Sequence, residues 1–150
     1  MLKNNKKILL IITLFLISVL LWWKVSSLPK TIIINNHKFL VEIADNDEKR
    51  LKGLSHRAKL EKNEGMLFIF PVKTRHSFWM KGMNFPLDFV WIDGDTIADL
   101  TENVPHPSSG IADDQLTAFT AQFPVDKVLE INAGMIKSAN IKIGDKLFFR

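Results

Sequence analysis

Ile8 to Trp23 is a run of sixteen residues without a charge, broken in polarity only by Thr13 and Ser18. At ~1.5 Å per residue it reaches about 24 Å as a helix, against a bilayer core of ~30 Å. Lys7 and Lys24 flank it and can extend it by snorkelling, and Trp22-Trp23 suit the lipid–water boundary at its far end. Lys3, Lys6 and Lys7 precede the run, which by the positive-inside bias keeps the N-terminus cytoplasmic and carries the rest across. A cleaved signal peptide is the competing reading, but Val25-Ser26-Ser27 is a poor cleavage site and Leu28-Pro29 follows it awkwardly. The sequence therefore predicts a cytoplasmic stub, a transmembrane anchor over about residues 8–25 and a linker to residue 30. Residues 31–150 are left for a single extracytoplasmic domain at the cell membrane, which is too few for two ordinary domains.

Charge divides along the same boundary. All five basic residues of the first thirty lie around the apolar run, with no acid among them. Residues 31–150 carry the other 15 of 20 bases and all 16 acids, a net charge of −1. That removes the basic surface on which nucleic-acid binding depends. Cysteine is absent, which excludes disulfides, thiolate metal sites and a cysteine nucleophile.

The remaining pattern predicts a mainly β domain, α+β with one or two short helices, built as a small antiparallel barrel or sandwich-like fold. Thr31–Ile34 and His37–Ile43 flank Asn35-Asn36 as a hairpin would, because asparagine tolerates the positive φ of a tight turn. Asp45 or Asn46 can cap a short helix that Gly53 ends. Met66–Phe70 reads as a buried strand stopped by Pro71. Ser77–Lys81, Leu87–Ile92 and Thr96–Glu102 read as further strands, the last two joined by Asp93-Gly94-Asp95. Pro105 to Pro124 reads as a long surface loop, and Val128–Ile131 as a strand. Ala133–Ala139 suits a one- or two-turn helix, and Ile141–Phe149 a closing strand.

The succession Gly53-Leu54, Arg57, Leu60, Gly65-Met66-Leu67-Phe68-Ile69-Phe70, Phe78-Trp79-Met80-Lys81 and Pro86-Leu87-Asp88-Phe89 resembles the domain-of-unknown-function family 192. So does the ending Val128-Leu129-Glu130-Ile131-Asn132-Ala133-Gly134 with Ile141-Lys142-Ile143-Gly144-Asp145. The resemblance implies a compact β-rich fold, commonly carried behind a signal or anchor segment in prokaryotes, and implies no reaction. Two places depart from the usual pattern: Ser55-His56 after Gly-Leu, and Gly82-Met83 after the lysine.

No reactive constellation stands out. His37, His56, His76 and His106 lack the spacing of a zinc site. Ser77, Ser108 and Ser109 lack a nucleophile elbow. Neither a metal nor a cofactor is expected. Asp88 shares a strand face with Val90 and Ile92, so its carboxylate needs a cationic partner or backbone donors, and Arg57 and Lys81 are the candidate cations. Glu130, between Leu129 and Ile131, poses the same question. Alternation puts Trp79 opposite Phe78 and Met80, so one of the two sets is expected on a surface or groove. Arg57, Trp79, Lys81 and Asp88 are thus the candidate ligand-binding set. A binding or accessory module of the cell envelope, contacting a polymer or protein partner, fits these features best. A carboxylate enzyme acting on envelope carbohydrate or peptide, and a structural subunit of a membrane-associated assembly, are the alternatives.

Overall fold

A computed structural model describes the backbone of residues 2–26, 28–108 and 110–150, and the side chains of 7–19, 28–108 and 110–150. Lys3, Lys6, Trp22, Trp23, Lys24 and Ser109 therefore lie outside the described side chains. Helix α1 spans Leu2–Ser26. Ile8 to Val19 of α1 leave their large apolar side chains largely exposed. Among the described residues no helix is long and apolar enough to cross a membrane.

The domain proper begins with the hairpin β1 (Lys30–Ile34) and β2 (His37–Ala44), turned by Asn35 and Asn36 at φ 49° and 62°. Helix α2 (Asp47–Lys52) is capped by the Asn46 side chain, which accepts from the Lys49 N–H at 2.9 Å, and ends at Gly53 with φ 48°. Strands β3 (Glu64–Thr74), β4 (Ser77–Trp79), β5 (Leu87–Asp93) and β6 (Thr96–Val104) follow. Then come a 3-10 turn at Asp113–Gln115, β7 (Ala118–Thr120), β8 (Val125–Asn132), helix α3 (Met135–Ser138) and β9 (Leu147–Phe149).

Seven strands form one sheet in the order β6-β5-β8-β3-β2-β1-β9, and β4 pairs with β7 as a separate ribbon. The sheet is curled into a half-barrel, not closed. Its edge strands meet over a short stretch where Thr96 bridges Lys146, with Gly144 N–H reaching Ile97 O at 2.8 Å, Ile97 N–H reaching Asp145 O at 2.9 Å and Leu147 N–H reaching Asp95 O at 2.8 Å. It is also not wholly antiparallel, since β2 and β3 run parallel. Residues 45–63 separate them and contain α2, the kind of long crossover that a parallel pair requires.

Three further expectations are corrected. Strand β3 does not stop at Pro71 but continues to Thr74 through a register shift between Ile69 and Thr74, where a residue without an N–H is tolerated. The segment after Pro105 is not all loop, because Ala118–Thr120 pairs with β4. The closing strand is confined to Leu147–Phe149.

Each face of the sheet carries its own core. Ile32, Ile34, Phe39, Val41, Leu67, Val90, Ile92, Leu129 and Ile131 fill the concave side with Ile136 of α3. Phe68, Phe89, Trp91 and Val128 pack on the other side with Leu54, Met80 and Met83. Strands β5 and β8 are thereby covered on both faces. Both cores lie between Ile32 and Leu147, so residues 28–150 hold every described core side chain.

Candidate functional site

The second face is only partly roofed. Helix α2 and the Gly53–Ser55 turn stand on one side of it, and Phe78, Trp79 and Lys81 on the other, leaving an open cavity of about 580 Å³. Arg50 fixes α2 to the sheet by donating to Ile69 O at 2.6 Å and lying 5.5 Å from the centre of the Phe70 ring. The opposite wall is held by the ribbon, where Ser77 and Thr120 hydroxyls meet at 2.8 Å. Phe78 anchors it by an edge-on contact with Phe68 at 4.9 Å and with Trp91 at 5.7 Å. Phe68, Phe70, Phe78, Leu54 and Met83 make the lining apolar.

Glu130 of β8 opens into this cavity. Sheet register explains how it arrives there. Glu42 pairs with Met66, Met66 with Glu130, and Glu130 with Phe89, so these four form one row across the same face. Glu130 is 5% exposed and makes no hydrogen bond to another described residue. No described polar side-chain atom is sealed away without a partner, so its carboxyl oxygens keep contact with the cavity. Burial pushes the carboxyl up to about 8 against an opposing pull from Arg57. The group is therefore mainly protonated at neutral pH and can donate a hydrogen bond.

The four residues expected as a binding set do not converge. Trp79, 57% exposed, and Lys81 stand together on the cavity wall, with Lys81 Nζ 5.9 Å from the indole centre. Lys81 pairs with Asp113 at 2.5 Å. Arg57 lies beyond Gly53 in a separate cleft of about 160 Å³, gripping Glu42 with two bonds of 2.5 and 2.8 Å. That fork holds Glu42 below the usual carboxylate range.

Asp88 does face the same way as Val90 and Ile92, but neither Arg57 nor Lys81 is its partner. It is fully buried on the concave side and accepts the Asn103 N–H at 2.8 Å and the Ile136 N–H at 2.9 Å. Two backbone donors, one at the start of α3 and one where β6 ends, meet the need that the sequence assigned to a cation. Asp88 holds the fold together and is remote from the cavity lining. Glu130 takes its place as the carboxyl of the candidate site. Among the described residues no group of three histidines or acids could hold a metal ion.

The model of the family DUF192, described as an uncharacterized ACR, matches residues 30–149. The chain belongs to that family. No curated protein matches it. Two crystal structures resemble the DUF192 domain. One, from Sinorhizobium meliloti 1021, is described as a candidate transcription regulator; it is 29% identical, with a TM-score of 0.72 over 81% of this chain and 93% of that one. The other, a protein of unknown function from Novosphingobium aromaticivorans DSM 12444, is 31% identical, with a TM-score of 0.68 over 80% and 83%. The Sinorhizobium meliloti structure is thus nearly all this domain.

Proposed function

We propose that the DUF192 domain is a binding module of the cell envelope, displayed outside the membrane by its N-terminal helix, and that the cavity beside α2 is its ligand site. The carrying observation is Glu130. A carboxyl at a central-strand position without a protein partner is costly to the fold. Set in an aromatic cavity, it can be satisfied by a polar group of a guest. Binding is favoured over hydrolysis because the only other carboxylate of the lining, Asp47, sits on the solvent-facing rim and is bound to Arg50 at 2.7 Å. Paired-carboxylate chemistry needs both groups at the reacting bond. The second reading, an enzyme with Glu130 as general acid, draws on the upward shift of that carboxyl towards neutrality.

The anchor reading is supported by the uncharged run Ile8–Trp23 and by the exposed apolar side chains of Ile8 to Val19. Two measurements test the proposal. Titrating 2-naphthol into labelled residues 28–150 should shift the amide signals of Phe68, Phe70, Trp79 and Glu130 saturably. The full chain should stay with membranes through a carbonate wash. Absence of saturable shifts removes the cavity as a site, and release of the chain removes the anchor.

A further inference from the structure

Resting on the cavity as the ligand site, we infer that its guest is an amphipathic anion, with an apolar ring-sized group lying against the packed wall of Phe68, Phe70 and Phe78 and a carboxylate or phosphate head at the mouth against Lys52 and Lys81. Polarity of the walls sets the first half. The buried side chains of the lining are Leu54, Phe68 and Met83, with Glu130 as the polar exception, so a group inserted there gains by leaving water and has the Glu130 carboxyl to meet.

Charge sets the second half. Arg50, Lys52 and Lys81 stand around the opening, with Asp47 the one acid of the described rim lining and Asp113 held against Lys81 just outside it. Arg50 is already committed, to Asp47 at 2.7 Å, to Ile69 O at 2.6 Å and to the Phe70 face. Lys52 has no ion pair among the described residues. The Lys81–Asp113 pair is half-exposed on both sides, and such pairs exchange for another anion at little cost. Glu130 adds no negative charge to the floor at neutral pH.

A cationic guest is the natural competitor, since aromatic walls with a carboxyl often receive ammonium groups. Here two of the aromatic faces it would use already carry the protein's own cations. Arg50 lies over Phe70 and Lys81 over Trp79, at 5.5 and 5.9 Å. A guest cation would displace one of the protein's own charges and meet the others at close range.

Three probes sharing one ring separate the possibilities on residues 28–150 at neutral pH: 1-naphthylmethanol, 1-naphthoate and 1-naphthylmethylamine. We expect 1-naphthoate to bind at least tenfold more tightly than the amine and more tightly than the alcohol. In Lys52→Gln/Lys81→Gln the advantage of 1-naphthoate over the alcohol should fall towards one. If the alcohol binds and the anion gains nothing, or the amine wins, the anionic head is refuted while the cavity stands. If none of the three binds, the cavity reading itself falls. Competition against 1-naphthoate by dioleoylphosphatidylglycerol vesicles assigns the head to a lipid; its absence, with binding retained, assigns it to a free small anion.

Discussion

Replacing Glu130 by glutamine should remove a specific pH dependence from the stability of the domain. The folded state holds this carboxyl near 8 and the unfolded chain near the ordinary 4.5. Between those values the folded protein carries a proton that the unfolded chain has lost. Stability from this group is therefore complete below about pH 4.5 and drains away as pH rises through about 8. One pH unit inside that window is worth about 1.4 kcal/mol. Allowing for partial titration at the upper end, the wild-type domain should lose on the order of 2 kcal/mol between about pH 6 and about pH 8. Glutamine preserves shape and cannot ionise, so its unfolding free energy should lack this component. The assay is urea unfolding of residues 28–150 and of Glu130→Gln at several pH values, followed by Trp91 fluorescence. Trp91 is fully buried on the Glu130 face and reports its loss. The histidines and other acids are common to both proteins, so subtraction isolates residue 130. Parallel pH profiles would refute the buried, protonated carboxyl and the role built on it.

Arg57→Ala should move the wild-type pH transition upward, since Arg57 is the charge that opposes the Glu130 shift; its direct cost in stability should stay near ~1 kcal/mol or below, because the Glu42 pair is partly solvated and screened. Asp88→Ala should cost about 2–4 kcal/mol in denaturant unfolding, by stranding the Asn103 and Ile136 N–H groups in a closed interior, yet leave naphthyl probe affinity within about twofold in whatever fraction stays folded. Gly65→Ala should destabilise by roughly 1–3 kcal/mol, since its Cβ would lie 2.7 Å from Glu130 O and 3.0 Å from Ile131 Cγ2; an unchanged denaturation midpoint in Gly65→Ala would refute that close approach.

The parts of the fold legible in the sequence are those governed by neighbours along the chain. Asn35-Asn36, the Asn46 cap with Gly53 closing its helix, and the Asp93–Asp95 turn announce themselves because turn and cap chemistry reads only a few residues at a time. The parallel pairing of β2 with β3 does not, although the nineteen residues at 45–63, too many for a hairpin and containing a helix, are the clue that a crossover lies there. The same limit hid β7. Ala118, Phe119 and Thr120 are too few to stand out, and only Phe78 of the distant β4 gives Phe119 a reason to be extended.

Asp88 and Glu130 show where legibility ends for the site. Alternation put Asp88 on the correct face, but the backbone N–H groups that satisfy it belong to residues 15 and 48 positions further on and leave no mark in side-chain identity. A search among cations therefore found Arg57 and Lys81, each engaged elsewhere, by Glu42 and by Asp113. Glu130 looked equivalent, an acid between two apolar neighbours. What separates the two is what stands above each strand: α3 closes over Asp88, whereas α2 and the β4–β7 ribbon stop short of meeting over Glu130. Leucine in place of Glu130 would fill the row between Met66 and Phe89 at less cost to folding. A carboxyl kept there, unpartnered among the described residues and open to an aromatic cavity, breaks the apolar pattern of its row, and a polar group of the proposed guest would meet it.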